Sequence, residues 1–267
     1  MADCNHNCGS CGENCAERVE IKPTEDTKIK RIIGVLSGKG GVGKSMISSL
    51  LAVSLAEKGY HVGILDADIT GPSIPKMFGL SGQLYGDELG VFPATSTLGI
   101  KVVSVNMMLE KEDDAVLWRG PILGGVIRQF YSEVHWGELD YLLIDMPPGT
   151  SDVAISIIQD IPVDEFVMVT TPSKLVSMVV GKAINMAKQV NKPIVGLVEN
   201  MAFVKCDKCG NEISIYNNDE TQSTAEKYNL EVLAKLPLDP ELANSADEGG
   251  IESCDTSLLD KLVEKIK

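Results

Sequence analysis

The segment Gly38-Lys39-Gly40-Gly41-Val42-Gly43-Lys44-Ser45 constrains the fold of this chain more than any other feature. It has the spacing of a phosphate-binding loop, in which a glycine, four residues and a second glycine precede a lysine and a hydroxyl residue. The apolar run at 31–36 predicts a buried strand, and the apolar spacing over 45–58 predicts a helix. A strand, this loop and a helix in succession indicate an α/β protein.

Each part of the loop has a predicted role in nucleotide binding. The glycines allow backbone N–H groups to face phosphate oxygens at a helix N-terminus, where the helix dipole adds positive charge. Lys44 is predicted to neutralise the β- and γ-phosphates, and Ser45 is predicted to bind Mg²⁺. An ordinary glycine-rich turn is the alternative, but it would not need this strand and helix around it. The predicted nucleotide-binding residues of the loop are Gly38, Lys39, Gly40, Gly41, Val42, Gly43, Lys44, Ser45 and Met46.

Short apolar segments alternate with helical patterns through the rest of the chain. The predicted strands are 31–36, 61–66, 100–105, 141–145, 166–171, 194–199 and 231–236, and the predicted helices are 43–58, 122–134, 152–160, 175–190, 221–228 and 257–266. Most of these strands are apolar throughout, as in a sheet covered on both faces. We therefore expect one P-loop domain over 29–267, built on a doubly wound and mostly parallel sheet with helices on both faces. Residues 1–28 have few apolar residues, and we expect a flexible, cysteine-rich tail.

Charge and hydropathy narrow the possible partners. The net charge of −14 opposes the phosphates of DNA and RNA, so we expect no nucleic-acid partner. No apolar run approaches the roughly 20 residues that span a bilayer, and the N-terminus is polar rather than a signal peptide. We expect no membrane partner and a cytoplasmic location.

The seven cysteines fall outside the nucleotide-binding part of the sequence, with none between residues 15 and 206. In the cytoplasm, cysteines are more often metal or redox ligands than disulfides. Cys206 and Cys209, followed by Gly210, form a knuckle that supplies two thiolates to one metal. A two-fold dimer would supply four thiolates, enough for a 4Fe-4S cluster or for tetrahedral zinc. A redox dithiol is less favoured, because no thioredoxin-like pattern surrounds the pair.

The cysteines of the tail form a separate candidate site. They are Cys4, Cys8, Cys11 and Cys15. Four thiolates this close could hold an iron–sulfur cluster within one chain, and zinc, with His6 as a substitute ligand, is the alternative.

Acidic loops are predicted to meet the phosphate-binding loop at one edge of the sheet. One is Asp66-Ala67-Asp68-Ile69-Thr70-Gly71-Pro72-Ser73-Ile74-Pro75, and the other runs from Asp145 to Asp152. Both follow predicted strands, and ligands of open α/β sheets bind at the carboxyl ends of strands. These residue types are also common in ordinary turns, which is the alternative interpretation.

Two resemblances sharpen these expectations. Lys39 directly after the first glycine resembles the deviant phosphate-binding loop of the MinD, ParA and nitrogenase-iron-protein ATPases. In that group the extra lysine reaches the phosphates of the partner subunit, so the resemblance implies a nucleotide-sandwich homodimer. Over most of residues 29–240 the chain resembles the Mrp/ApbC-type iron–sulfur cluster carrier ATPases. The segments that carry this second resemblance are Gly38–Ser45, 66–75, Trp118-Arg119-Gly120-Pro121, Asp145–Asp152, Val198-Glu199-Asn200-Met201 and Cys206–Gly210.

The family resemblance implies roles for particular residues. Asp68 would orient the attacking water, Asp145 would act on Mg²⁺ through water, and Asp66 would support the metal shell. Asn200 would recognise adenine, with the loop around Pro237 over the same ring. The resemblance also implies slow ATP hydrolysis, a bridging cluster on Cys206 and Cys209, and delivery of that cluster to apo iron–sulfur proteins. The tail resembles the scaffold branch of the family, but its cysteine spacing of three, two and three intervening residues is tighter.

Several alternatives remain open on sequence alone. Asn191-Lys192-Pro193-Ile194 begins like a guanine-binding motif but lacks its Asp, which favours ATP over GTP. A MinD/ParA-like positioning ATPase with structural zinc at the knuckle is the main alternative function, and the amphipathic stretch at 258–266 would then be a membrane-targeting helix. A core-docked helix is the commoner reason for such a stretch. An electron-donating reductase is disfavoured by the gap in the cysteines.

Overall fold

The computed structural model of the chain describes residues 21–68, 73–88, 90–108, 120–206, 208–216 and 220–266, and an eight-stranded sheet forms its centre. The strands are β1 (Lys28–Ser37), β2 (Val62–Asp66), β3 (Gly86–Asp87), β4 (Gly90–Val91), β5 (Ala94–Thr95), β6 (Lys101–Ser104), β7 (Glu138–Asp145), β8 (Glu165–Thr170), β9 (Ile194–Glu199), β10 (Phe203–Lys205), β11 (Glu212–Ser214) and β12 (Val232–Lys235). The α-helices are α1 (Lys44–Glu57), α2 (Ile74–Met77), α3 (Gly120–Glu133), α4 (Asp152–Asp160), α5 (Lys174–Gln189), α6 (Glu220–Tyr228), α7 (Pro240–Asp247) and α8 (Asp260–Ile266). Short 3₁₀ turns cover Val105–Met108, Ile251–Ser253 and Ser257–Leu259.

The main sheet has the strand order β12-β9-β8-β1-β7-β2-β6-β5. Its neighbouring strands run parallel except at the edge, where β5 is antiparallel to β6. The carboxyl ends of β1, β2, β7, β8 and β9 therefore lie along one edge. The predicted α/β class and the mostly parallel sheet are confirmed.

Strand β1 lies between β7 and β8, and its residues reflect that position. Its first four residues alternate between exposed and half-buried, while the last six are buried. Helix α1 packs on the same part of the sheet and buries Ile47, Leu50 and Leu51. Full burial of one such side chain contributes roughly 1.5–3 kcal/mol, so this strand–loop–helix unit is firmly held.

The C-terminal amphipathic stretch docks on the core. Leu262, Val263 and Ile266 of α8 are buried. Arg31 of β1 donates a hydrogen bond from Nη1 to the Ile266 carbonyl at 2.6 Å. The apolar face of this helix is therefore occupied within the chain. No helix in the described ranges is long and apolar enough to cross a bilayer.

The domain begins earlier than the boundary predicted at residue 29. The Thr27 hydroxyl accepts a hydrogen bond from the Trp136 backbone N–H at 3.1 Å, and the Asp26 carboxylate lies 2.9 Å from His135 Nδ1. Ile21 packs against the core. Residues 21–28 are thus part of the folded unit, although they lack the apolar run that marks a strand in sequence.

Candidate functional site

The phosphate-binding loop has the predicted strand–loop–helix context. β1 ends at Ser37 and α1 begins at Lys44. Gly41 and Gly43 have φ of 78° and 79°, in the left-handed region where a side chain is strained. A Cβ at Gly38 would lie 2.7 Å from the backbone nitrogen of Val180 in α5. Backbone conformation therefore favours glycine at 41 and 43, and close packing requires it at 38.

Lys44 is enclosed by acidic side chains. Its side chain is 5% exposed, and Nζ lies 2.7 Å from Asp145 Oδ2 and 3.4 Å from Asp68 Oδ2. These contacts are ion pairs, and Nζ forms no hydrogen bond with any residue that the structure describes. The distances and the missing hydrogen bond are compatible, because an ammonium group can be close to a carboxylate without an N–H directed at it. The donor capacity of Lys44 is suited to a further anion.

Asp145 joins the sheet to α1. Its Oδ2 accepts a hydrogen bond from Ser45 Oγ at 2.5 Å, and its Oδ1 accepts one from Ser48 Oγ at 2.6 Å. The carboxylate is fully buried. Ser45 and Asp145, the predicted Mg²⁺ residues, are thus in direct contact. Ser48 was not predicted, although its position one helical turn after Lys44 places it on the same side of α1.

Asp66 is the register partner of Asp145 on the neighbouring strand and is 1% exposed. Its carboxylate accepts hydrogen bonds from the Asp68 backbone N–H at 3.2 Å and from Ser104 Oγ at 3.1 Å. Burial, and then the negative charge of Asp145, raise the pKa of Asp66 to about 8, although Lys44 and the two hydrogen bonds lower it. The neighbouring charge of Asp145 therefore disfavours ionisation of Asp66. Ser104 was also missed by the sequence analysis.

A cleft of about 360 Å³ opens over the loop. Lys39, exposed at its rim, is one of its lining residues. Besides the predicted Lys39, Gly40, Gly41, Gly43, Lys44, Ser45, Met46 and Asp68, the lining includes Ser37, Ser73, Met77 and Pro148. Carboxylate and hydroxyl oxygens beside Lys44 provide the donor set that Mg²⁺ and phosphates prefer. Chemically, the cleft can bind a phosphate chain with a divalent cation.

Asn200 and Pro237 are not among the residues that line this cleft. Asn200 is 6% exposed, and its Nδ2 donates a hydrogen bond to the Val42 carbonyl at 3.0 Å. The chain around Pro237 is close to Asn200, because the Leu236 backbone N–H donates to the Glu199 carbonyl at 2.8 Å.

The cysteine knuckle lies at the turn of the β10–β11 hairpin. The Gly210 backbone N–H donates to the Cys206 carbonyl at 2.8 Å, and the Cys206 N–H donates to the Asn211 carbonyl at 2.9 Å. Gly210 has φ of 71°, in the left-handed region that favours glycine. Cys206 is half-buried and Cys209 is exposed. Within the described ranges, no group of three or more His, Cys, Asp or Glu residues is arranged to hold a metal ion.

Apolar side chains are exposed on the surface beside the knuckle. Ile213 is 56% exposed, and Ile215 and Tyr216 are also exposed. Val204 and Ile213 are opposite one another in the antiparallel pairing, so their side chains share a face of the hairpin.

Some predicted residues lie outside the described ranges. They are Cys4, Cys8, Cys11, Cys15 and His6 of the tail, residues 69–72 of the first acidic loop, Trp118, Arg119 and Asp207.

Comparison with known proteins identifies relatives of this arrangement. A family model described as ParA, NUBPL iron-transfer P-loop NTPase, matches residues 28–267. A relative from Clostridium perfringens, called iron-sulfur cluster carrier protein, is 43% identical over 256 residues, covering 92% of this chain and 90% of the relative. One from Saccharolobus solfataricus with the same name is 48% identical over 236 residues, covering 87% and 80%.

Solved structures agree with the fold. A nucleotide-binding protein from Archaeoglobus fulgidus, solved in complex with ADP, has a TM-score of 0.78 and 41% identity, covering 87% of this chain and 91% of that one. The septum site-determining protein MinD from Pyrococcus horikoshii, complexed with Mg-ADP, has a TM-score of 0.64 at 21% identity, covering 90% and 96%, which is a likeness of fold alone. With the family model matched over nearly the whole described chain, this protein belongs to the NUBPL iron-transfer P-loop NTPase family.

Proposed function

We infer that this chain is an ATP-hydrolysing carrier that holds a 4Fe-4S cluster between two copies of itself and delivers it to apo iron–sulfur proteins. The observation that carries this inference is the presence of two distinct sites in one domain. A phosphate cleft with a buried lysine lies at the carboxyl edge of the sheet, and a thiol hairpin follows β9 at the same edge. Two relatives named iron-sulfur cluster carrier protein, each at more than 40% identity, support the assignment.

ATP is the proposed nucleotide, with its phosphates on the loop. Lys44 neutralises the β- and γ-phosphates, because its buried ammonium has donor capacity that the described residues leave unused. Loop glycines 38, 40, 41 and 43 let the backbone approach the phosphates. Mg²⁺ fits the oxygen donors present: Ser45 would bind it directly, and Asp66 and Asp145 would support its shell. When bound, this cation neutralises charge that develops on the phosphates.

Hydrolysis is proposed to depend on Asp68 and Lys39. The Asp68 carboxylate, within ion-pair distance of Lys44, orients a water whose oxygen attacks the γ-phosphorus. The bond from that phosphorus to the bridging oxygen breaks, giving ADP and phosphate. Lys39 is exposed at the rim of the cleft, where it can reach the phosphates bound by a partner subunit. The reaction is mainly positioning and charge neutralisation, so slow turnover is expected.

The base is proposed to lie against Asn200 and Pro237. The Nδ2 of Asn200 is used by the Val42 carbonyl, while its Oδ1 can accept from the amino group of adenine. The oxygen of guanine at the equivalent position cannot donate. We therefore assign ATP rather than GTP.

The cluster is the proposed cargo of Cys206 and Cys209. One chain supplies two thiolates there, and the described residues offer no third metal ligand nearby. A two-fold homodimer completes the four ligands, and the exposed Ile213, Ile215 and Tyr216 would be covered in it. The tail cysteines are proposed to hold a second iron–sulfur cluster, with zinc as the alternative. We propose a cytoplasmic protein with no nucleic-acid or membrane partner.

The main alternative, a positioning ATPase with structural zinc at the knuckle, has less support. Its membrane-targeting helix would have to be the C-terminal stretch, and that stretch buries Leu262, Val263 and Ile266 against the core.

The direct test of function is cluster transfer. The protein is reconstituted anaerobically and mixed with an apo-4Fe-4S enzyme whose activity reports transfer, with and without Mg·ATP. We expect activation by wild type and a change in its rate with Mg·ATP, while Lys44→Ala transfers without responding to nucleotide. Failure of reconstituted wild type to activate the enzyme in either condition would contradict the carrier function.

A further inference from the structure

Asn200 is in contact with the back of the phosphate-binding loop. Its Nδ2 donates to the Val42 carbonyl at 3.0 Å, and a Cβ placed on Gly43 would lie 2.2 Å from that same nitrogen. Gly43 is thus required to be glycine partly because the Asn200 amide occupies the space. The contact is buried and polar, so it is sensitive to any movement of the peptide between Val42 and Gly43.

The same residue begins the segment that leads to the cysteine hairpin. The Asn200 backbone N–H donates to the Thr170 carbonyl of β8 at 2.8 Å, which fixes its start. Met201 follows with φ of 54°, and the Ala202 N–H donates to the Leu236 carbonyl at 2.9 Å. β10 begins at Phe203, and Cys206 comes directly after its last residue. The segment from Asn200, which contacts the phosphate-binding loop, to Cys206 is therefore short and largely fixed by hydrogen bonds.

A buried acidic residue fixes the end of β9, directly before Asn200. Glu199, the last residue of β9, is buried, and it accepts a hydrogen bond from the Thr221 hydroxyl of α6. Its other oxygen lies 3.1 Å from Lys235 Nζ. Glu199 is thus held by α6 and by β12. Because the end of β9 is fixed in this way, a displacement of Asn200 is expected to move the chain towards β10 rather than β9.

We propose that Asn200 is a positioning residue that couples the state of the nucleotide site to the Cys206–Cys209 hairpin. Nucleotide phosphates reorganise the loop peptides that they contact, the Val42 carbonyl moves with them, and the Asn200 side chain transmits that change. The two states differ in whether this hydrogen bond is made. The consequence for cluster transfer rests on the proposed function, but the structural coupling does not.

The sharpest variant is Asn200→Asp. It has nearly the same shape and retains an oxygen that can accept from adenine, but it cannot donate to the Val42 carbonyl. Asn229→Asp is the control, because it makes the same chemical change at an exposed asparagine far from the loop in sequence. Asn200→Ala serves as a second variant that removes the amide altogether.

The measurement is backbone hydrogen exchange in cluster-free protein with and without saturating Mg·ADP. We expect nucleotide to change exchange by about fivefold at amides 203–206 and 208–214 in wild type and Asn229→Asp, and to leave them unchanged in both Asn200 variants. Titration first sets a saturating ADP concentration for each variant. Asn200→Asp keeps the oxygen proposed to accept from adenine, whereas Asn200→Ala loses it and is expected to need more ADP. No hairpin response in wild type, an equal response in Asn200→Asp, or loss of ADP binding by that variant would each overturn the proposal.

A second measurement separates this inference from the carrier function. In reconstituted protein, transfer to the apo-enzyme should respond to Mg·ATP in wild type and Asn229→Asp but not in Asn200→Asp, at equal cluster content. If the protein carries no cluster, the carrier function fails while the exchange result still supports the coupling. If Asn200→Asp transfers with a normal response to Mg·ATP, the coupling proposal is wrong even though the carrier function stands.

Discussion

At the scale of single residues, the nucleotide site is a compact network of charges around Lys44. Asp145 contacts Lys44, Ser45 and Ser48 at once, so one carboxylate fixes the lysine, the predicted Mg²⁺ ligand and the first turn of α1. Sequence motifs predicted the loop, Asp66 and Asp145, because the motif spacing and the strand ends are visible in the chain. Ser48 and Ser104 were not predicted, because their contacts arise only when α1 and β6 pack beside β7 and β2.

The two lysines of the loop should have separable effects. Lys44→Ala is expected to reduce ATP hydrolysis by about 100-fold or more, because the phosphates lose a buried, charge-assisted donor. Lys39→Ala is expected to retain nucleotide affinity within about fivefold but to lose turnover, because Lys39 is exposed and is proposed to act across the dimer. Steady-state hydrolysis and ADP titration of both variants provide the comparison. Full turnover by Lys39→Ala would rule out the sandwich mechanism.

Selectivity for the base is a second residue-scale prediction. ATP should compete at least about tenfold better than GTP for the site with Mg²⁺ present, since the proposed hydrogen bond from adenine to Asn200 is not available to guanine. A competition titration with both nucleotides measures this ratio. Equal affinities would show that Asn200 does not recognise the base.

Asp66 should destabilise the nucleotide-free protein as the pH rises. Its folded pKa is raised to about 8 by burial and by Asp145. Between the ordinary pKa of about 4 and this value, the unfolded state loses the proton while the folded state keeps it, so wild-type stability falls with increasing pH. Asp66→Asn removes this cost and should raise the free energy of unfolding by at least ~1 kcal/mol at pH 8, with a smaller gain at pH 5. Denaturant titrations at both values test it, and a gain that is larger at pH 5 would contradict the assignment.

At the scale of elements, apolar patterns predicted the parallel strands well, and the differences have physical causes. β1 starts at Lys28, three residues before the predicted start, because backbone pairing with β7 begins there, at residues that are exposed or half-buried and form no apolar run. β5 has two residues and the β10–β11 hairpin strands have three each, too short for periodicity to detect.

Helix α7 was missed although its sequence carried a usable signal. Asp239 caps the helix, accepting from the Glu241 backbone N–H at 2.8 Å, and Pro240 occupies the first helical position. This is a common helix start. We interpreted the segment only as a loop over the base, and the polar composition of α7 hid the helix that follows.

The hairpin itself should contribute to dimer formation. Ile213→Ser is expected to weaken the dimer about tenfold, since loss of one half-exposed aliphatic side chain from an interface costs on the order of 1 kcal/mol. Leu98→Ser is the matched control: Leu98 is 44% exposed and precedes β6, at the opposite end of the sheet. Sedimentation with Mg·ATP measures the dissociation constant of the dimer for both variants. Equal weakening of the dimer by the two substitutions would argue against an interface at the hairpin.

At the scale of the whole molecule, the proposed function requires a two-fold symmetric dimer. In the proposed dimer each chain supplies its nucleotide cleft, its exposed Lys39 and its Cys206–Cys209 pair, so the cross-subunit lysine and the four-thiolate site both need a second copy. The sequence could predict these half-sites, but no sequence pattern specifies how two copies meet. That geometry depends on surfaces, such as the exposed apolar residues of the hairpin, that become visible only in the fold.

Iron and acid-labile sulfide per dimer test the central claim most directly. We begin with Cys4, Cys8, Cys11 and Cys15 replaced by Ala together, so that only the hairpin site remains, and reconstitute anaerobically. This parent should hold about four iron and four sulfide per dimer. Adding Cys206→Ala or Cys209→Ala should abolish both, because each removes two of four ligands, whereas Cys254→Ala, at a half-buried thiol beside Ser245, should change neither. Retention of iron and sulfide by the Cys206 variant, or a parent that holds one zinc per dimer and no sulfide, would contradict the account.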